Sequence, residues 1–383
     1  MKKTLVILLA LIMAISLAAC TNANKTEEPA KDAKPIQAAE PDAEANTVGY
    51  ITDNVDHFAR DAYNFVYMYY DDSPLVESTY ASFENLGSVY NFKMTKMSGD
   101  ESPETYMTNL QALIDRGDVD GFFIDTDPQF QDQLMKVLDA SKIPYMNMYT
   151  AFFDEKGASL TVGVGLDQYQ SGYESMQWLV DHYKEFWGDD VDTSTIGLLD
   201  IDFSISPDLQ ARTEGIKDSF TKAFPGNENI FVVDGLTGGT VSTEVGFDLT
   251  SQTVTANSKV KYWLVSSCLE NYAQGAARAA EELGRDDQFL ISDVGSTILP
   301  TEWDTGYDGA WKTCYAMSDY AYSAPAALGL IAIADERATA DTLWQDIRNP
   351  KDKRTIWEAE SGMITKDDYK QFFAEADAKY GVG

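Results

Sequence analysis

The chain has 383 residues, of which 62 are acidic, 29 are basic and 44% are hydrophobic. The length is sufficient for two ordinary domains and the apolar content for a real core, which excludes a disordered chain. The excess of negative charge argues against nucleic acid as a partner, because binding it requires clustered Lys and Arg.

The N-terminal segment has the pattern of an exported lipoprotein. Lys2 and Lys3 precede an almost entirely apolar stretch, Thr4–Ser16, which is too short to span a bilayer comfortably. Small residues then precede Cys20, so we expect residues 1–19 to be a signal peptide and Cys20 to carry the lipid. An uncleaved helical anchor is the alternative.

Residues 20–46 predict a lipid-anchored flexible linker. They are rich in Ala, Pro, Glu, Lys and Asp and contain no aromatic residue. Such a linker would hold the following domain off the membrane, so the predicted location is the extracytoplasmic face of the cell membrane.

From residue 47 onward, short β-rich runs alternate with longer amphipathic runs. The predicted strands are Thr47–Thr52, Ser88–Thr95, Val119–Asp125, Ile143–Met148, Leu160–Gly165, Thr195–Asp200, Ile230–Asp234, Lys261–Ser266, Phe289–Asp293, Trp311–Tyr315 and an extended Thr355–Met363. The predicted helices are Val55–Tyr70, Pro103–Arg116, Phe130–Ala140, Gln168–Phe186, Pro207–Ala223, Thr240–Thr255, Asn271–Leu283, Tyr320–Asp335 and Lys366–Ala378. This alternation predicts an α/β fold with parallel sheets. Since about ten such units exceed the eight of a TIM barrel, two doubly wound lobes are expected.

Ligands of such sheets bind beyond the carboxyl ends of the strands. After the first predicted strand, Asp56, His57 and Phe58 combine a carboxylate with an aromatic ring, which suits a sugar. The alternative is that Asp56 caps a helix and Phe58 belongs to the core.

Later strand ends supply further polar candidates. Asp125 follows the third strand and Asp293 ends another, each a ligand candidate or a helix cap. Asp208 and Arg212 are four residues apart and lie on one face of a predicted helix. They could bind ligand hydroxyls together or form a surface salt bridge.

Several stretches in order resemble the type I periplasmic sugar-binding proteins, in particular their galactose/glucose-binding branch: VGYITDNVDHF, VDGFFIDTDP, SPDLQARTEG, FLISDVGS and GMITKDDYKQF. The resemblance implies that Asp125, Asp208, Arg212 and Asp293 bind sugar. Tyr315, which replaces an amide of that branch at the last hinge segment, is a further ligand-binding candidate. The resemblance also implies two discontinuous lobes that close around the ligand by a three-segment hinge. The N-terminal lobe would comprise residues 47–149 and 316–350, and the C-terminal lobe residues 150–315 and 351–383.

The sequence departs from this family at two ligand positions. Leu269-Glu270 replaces an Asn-Asp pair, and the segment from Asp234 to Gly239 lacks a sugar-stacking tryptophan. Aromatic residues that could replace it are Tyr149, Phe152, Phe153, Trp303 and Trp311.

The resemblance predicts a monomeric binding protein that delivers a monosaccharide or similar small polyol to an ABC transporter permease. A lipoprotein that senses a sugar, nucleoside or furanone and presents its closed form to a membrane receptor is the alternative. An enzyme is not expected, because the sequence has neither a Gly-x-Ser-x-Gly elbow nor a phosphate-binding loop.

Cysteine and histidine are too scarce to suggest a metal or cofactor. Besides Cys20, only Cys268 and Cys314 are present, and they could pair or remain buried thiols. With only His57 and His182, no cluster has the spacing of a zinc site.

Overall fold

The computed structural model describes residues 47–126, 128–238 and 241–380. The predicted signal peptide, Cys20 and the linker therefore lie outside the described residues. Of the described helices, none has the length and apolar character to cross a bilayer.

The strands are β1 Tyr63–Tyr69, β2 Phe92–Ser98, β3 Gly121–Ile124, β4 Tyr145–Tyr149, β5 Gly163–Gly165, β6 Ile196–Asp202, β7 Ile230–Asp234, β8 Tyr262–Ser267, β9 Phe289–Asp293, β10 Thr313–Met317, β11 Ile356–Glu358 and β12 Ser361–Thr365. The α-helices are α1 Pro74–Tyr90, α2 Pro103–Arg116, α3 Gln131–Ser141, α4 Gln168–Trp187, α5 Pro207–Ala223, α6 Thr243–Ala256, α7 Glu270–Glu282, α8 Ile298–Asp304, α9 Asp319–Ala334 and α10 Tyr369–Lys379.

The first sheet has six parallel strands in the order β11-β5-β4-β3-β1-β2. Helices α1 and α9 cover one face, with Phe83, Leu86 and Leu330 in its core. Helices α2 and α3 cover the other face around Leu110 and Leu134. Both faces are buried along the inner strands, which is why β1 and β3 are nearly continuous apolar runs.

The second sheet has four parallel strands in the order β7-β6-β8-β9, and β10 joins its edge through bridges to β9. Helices α4 and α5 pack on one face, and α6 and α7 on the other. β12 pairs antiparallel with β10. The predicted α/β class with two doubly wound lobes is confirmed.

The chain passes between the two sheets at three places. It leaves the first sheet after β5 and enters α4, returns from β10 to α9 through Ser318, and leaves again between β11 and β12. The first and third crossings are adjacent, since the Ala359 N–H donates to the Gly165 carbonyl (2.8 Å). The number of crossings is that of the predicted three-segment hinge, and the second crossing lies near the predicted boundary at 315/316.

Two strands lie in the other lobe from the one predicted. Gly163–Gly165 and Ile356–Glu358, assigned from the sequence to the C-terminal lobe, form an edge of the first sheet. Glycine permits this pairing, because a Cβ at Gly163 would lie 2.9 Å from the Asn147 carbonyl oxygen. The predicted boundaries are wrong for these two segments.

The start of the domain was also predicted wrongly. Residues 47–52 form turns rather than a strand, with Tyr50 packed on Trp357, and the predicted helix Val55–Tyr70 contains β1. β1 is a central strand between β2 and β3, so its aromatic side chains are buried on both faces. The spacing of the apolar residues in this segment is compatible with a helix, whereas its β-branched and aromatic residues favour the strand that is observed.

Candidate functional site

The polar side chains at the carboxyl ends of the first sheet form one wall of the candidate site. Asp71 and Asp72 follow β1, where Ser73 caps α1, and Asp125 follows β3. The Tyr67 hydroxyl donates to Asp125 Oδ2 (3.0 Å). Burial, and secondarily the nearby charge of Asp71, raises the pKa of Asp125 to about 7.

The same wall includes the N-terminus of α9. Ser78 Oγ donates to Asp319 Oδ1 (3.0 Å), and burial raises the pKa of Asp319 to about 6. Tyr149, at the end of β4, is hydrogen-bonded to Thr79 and packs edge-on against Tyr322, with ring centroids 4.8 Å apart. The wall therefore combines carboxyl groups with aromatic rings.

Arg212 on α5 contributes a buried cation to the second wall. Its Nε donates to Gln168 Oε1 (2.6 Å) and its Nη1 to the Cys268 carbonyl (2.6 Å). The close contact of α4 with α5 depends on Gly172, where a Cβ would lie 2.1 Å from the Arg212 carbonyl oxygen. The position of this guanidinium is therefore fixed by the packing of α4 on α5 and by its hydrogen bonds to Gln168 and to the Cys268 carbonyl after β8.

Glu270 and Asp293 lie beside Arg212. Glu270 Oε1 accepts from the backbone N–H groups of Thr297 (2.6 Å) and Ile298 (2.8 Å), yet burial raises its pKa to about 7. Asp293 Oδ1 accepts from Trp311 Nε1 (2.8 Å), whereas its Oδ2 is buried without a hydrogen-bond partner in the described residues. Burial and then the charge of Glu270 raise the pKa of Asp293 well above its usual range.

Electrostatic contacts connect the two walls. Burial raises the pKa of Glu270, and the charge of Asp319 in the first lobe adds to this rise. Burial also raises the pKa of Tyr322 on α9, and Arg212 of the second lobe partly offsets that rise. Pro74 at the start of α1 also lines a pocket with Gln274 of α7 and residues of α8. The carboxyl ends of both sheets therefore border one interlobe space, which we call the cleft.

Of the predicted site residues, the structure brings Asp125, Arg212 and Asp293 to the cleft. Tyr315 lies in β10 at the hinge, where its hydroxyl is 2.9 Å from Ser361 Oγ. Asp208 lies in the first turn of α5, but its side chain is outside the described residues.

The structure places Asp56, His57 and Phe58 at the opposite edge of the first sheet. They precede β1, and the Asn91 amide at the start of β2 donates to the His57 carbonyl (3.0 Å). Asp56 caps a short 3-10 helix (Phe58 N–H to Oδ1, 3.0 Å), His57 is buried, and Phe58 is 65% exposed. Their predicted role assumed that a strand ends before them. In the part of the chain that the structure describes, the first strand is β1, which follows these residues, so we leave them out of the proposed site.

The aromatic residues proposed to replace the sugar-stacking tryptophan lie in different parts of the structure. Phe152, Trp303 and Trp311 are core residues, and Phe153 belongs to a short bridge with Ser159. Tyr149 lies at the carboxyl end of β4 near Asp125 and Asp319, and Trp311 reaches Asp293 from the core through its indole N–H. Cys268 and Cys314 are both free and buried.

Sequence reasoning missed Asp71 and Asp319 and treated Glu270 as a departure from the family's Asn-Asp ligand pair. The signal for Asp71 was present, because a β-rich aromatic run ends there and Ser73-Pro74 is a typical helix start. The role of Glu270 depends on its contact with α8, a helix that the sequence pattern did not predict.

Residues 65–327 match the model of a protein family described as a periplasmic binding protein domain. A search of curated proteins finds no match. Since the family is one of binding proteins, the prediction that the chain is not an enzyme is confirmed.

The chain also resembles solved structures at low sequence identity. An ABC transporter solute-binding protein from Actinobacillus succinogenes with bound D-allose is 15% identical, with 81% of this chain and 100% of that chain covered and a TM-score of 0.63. One from Bacillus halodurans with bound myo-inositol is 13% identical, with coverage of 82% and 98% and a TM-score of 0.62. A glucose-galactose binding protein from Geobacillus stearothermophilus is 16% identical, with coverage of 81% and 99% and a TM-score of 0.59. At this identity, the likeness concerns the fold.

Proposed function

The chain belongs to the periplasmic binding protein domain family, and from this membership we propose that it captures a monosaccharide or similar small polyol and delivers it to an ABC importer. The observation that supports the proposal is the cleft, which Asp125 borders from one lobe and Arg212 and Asp293 border from the other. Carboxylates and a guanidinium each offer bidentate hydrogen bonds to neighbouring hydroxyls. The bound D-allose and myo-inositol of two structural neighbours support this ligand class.

Hinge closure would complete the site. A ligand that bridges the walls favours the closed arrangement because it contacts both lobes only there. Asp208 would add a further hydroxyl contact, and Tyr315 would stabilise the hinge beside the ligand.

A sugar panel tests the capture. A sugar that binds only the folded protein raises its melting temperature, and a concentration of 100 times Kd adds about 2.7 kcal/mol of stability. We expect Arg212→Ala to abolish the shift given by the best sugar. Arg285→Ala is the matched control, because Arg285 also donates to a backbone carbonyl (Lys261, 2.9 Å) but lies at the amino end of β9. An unchanged shift in Arg212→Ala would contradict the assignment.

We further propose that lipid on Cys20 holds the protein at the extracytoplasmic face of the membrane. The support is the sequence pattern of charge, apolar core and small residues before Cys20. We expect Cys20→Ser to move the protein from the membrane fraction to the soluble fraction, as judged by detergent phase partitioning. Thr21→Ser is the control, because it changes the neighbouring residue and keeps the thiol that would carry the lipid. Equal membrane retention of the Cys20 variant would exclude lipidation as the anchor.

Deletion of the gene separates import from sensing. Loss of uptake of the bound sugar supports delivery to an importer, whereas intact uptake with a lost transcriptional response supports a sensor.

A further inference from the structure

The cleft has an unusual balance of charge. Asp125 and Asp319 are half-buried on the first wall. On the second wall, Glu270 is half-buried and Asp293 is fully buried. On the second wall, Arg212 partly offsets the rise that burial causes in the pKa of Glu270 and of Asp293. On the first wall, Lys96 is directed to Glu77 and lies 5.0 Å from the Tyr80 ring centroid.

Arg212 cannot neutralise the cleft alone. Two of its guanidinium donors are given to Gln168 and to the Cys268 carbonyl, both at 2.6 Å. Tyrosine and serine hydroxyls satisfy one oxygen each of Asp125 and Asp319, but they bring no positive charge. The acids of the first wall therefore depend on solvent or a ligand for compensation.

A second feature points to a ligand group rather than to an acidic surface. Asp293 is fully buried at the carboxyl end of β9, Trp311 holds its Oδ1, and its Oδ2 has no partner in the described residues. The hydroxyl of Thr126, next to Asp125 and 7% exposed, also has no partner there. Buried polar atoms without a hydrogen-bond partner are costly, and a ligand group that hydrogen-bonds to them would remove that cost.

From these contacts we infer that the ligand of the cleft carries a protonated amine and no anionic group, as an amino sugar does. This inference rests on the proposed function, since it assumes that a polyol binds in the cleft. An ammonium group offers three donors and the charge that the walls lack. A carboxylate or phosphate would meet acids on both walls, and such like-charge contacts reject a ligand.

Matched triplets of sugars test the inference. Glucose, galactose and mannose are each compared with their 2-amino and uronate derivatives by calorimetry at neutral pH and fixed ionic strength. We expect at least one amino sugar to bind tenfold or more tightly than its parent, and no uronate to bind. Neutral parents that bind as tightly as their amines, or a uronate that binds, would overturn the inference and leave the proposed function standing. No binding by any sugar would overturn both.

Charge-removing variants locate the amine. Asp125→Asn keeps the shape and the Tyr67 contact but removes a carboxylate, so the advantage of the amine over its parent should fall severalfold. Asp118→Asn is the control, since Asp118 pairs with Arg116 at an exposed turn. An amine advantage that survives both Asp125→Asn and Asp319→Asn would refute the assignment of the first wall.

Discussion

Among single residues, Gln168 has a role that no ligand contact reveals. It is the first residue of α4, directly after the first hinge crossing, and its Oε1 accepts from Arg212 Nε (2.6 Å). Arg212 therefore receives part of its orientation from the hinge. A hydrogen bond to a charged group contributes about 1.5–3 kcal/mol, so its loss is expected to matter.

We predict that Gln168→Ala weakens sugar binding about tenfold or more, in line with the lower part of that range. Gln170→Ala is the control, because Gln170 lies in the same helical turn but donates to Glu174 (2.8 Å) on the helix surface. Titration calorimetry measures the affinity. Equal affinities in the two variants would show that Arg212 is held without Gln168.

Strand β6 contains a buried acid that the cleft does not use. Asp200 is fully buried, neither of its carboxylate oxygens has a hydrogen-bond partner in the described residues, and burial raises its pKa to about 8. It lies in register with Ser266 of β8, which is in register with Ser292 of β9. Ser175 of α4 is 2.9 Å and 2.8 Å from the hydroxyls of those two serines.

The buried carboxyl of Asp200 makes the stability of the folded protein depend on pH. Because the folded pKa of Asp200 is raised, its stabilising contribution is present below the unfolded pKa and is lost as pH rises toward about 8. We predict that the melting temperature falls between about pH 5 and about pH 8, and that Asp200→Asn reduces this fall. Asp192→Asn is the control, since Asp192 is exposed and Ser194 hydrogen bonds lower its pKa. An equal fall in wild type and Asp200→Asn would contradict the prediction.

Elements with a strong local signal were predictable from the sequence. Helices α2 and α5 and strands β7 and β9 have the predicted bounds, because caps or Gly and Asp mark their ends. β1 was missed, since its buried aromatic run has no alternation to separate strand from helix. This error moved the predicted binding turn from Asp71 to Asp56, at the opposite edge of the sheet.

Contacts between distant segments were not predictable. The edge pairing of β5 with β11 and the approach of Asp319 to Glu270 join residues far apart in the chain. A single sequence gives no information on such pairs, so strand ends could be nominated as ligand-binding but not assigned to a common site.

For the whole molecule, the account depends on closure of two lobes around one ligand. The three segments that cross the hinge are short, and acids from both lobes border the cleft. In the absence of ligand, charge repulsion and desolvation of these acids oppose closure. A ligand that satisfies both walls should shift the population to the closed state.

The most direct measurement is small-angle X-ray scattering of wild type and Arg212→Ala, with and without the sugar that binds best. We predict that saturating sugar reduces the radius of gyration of the wild type and leaves that of Arg212→Ala unchanged. A wild-type radius of gyration that stays constant while calorimetry shows the sugar bound would contradict capture between the lobes.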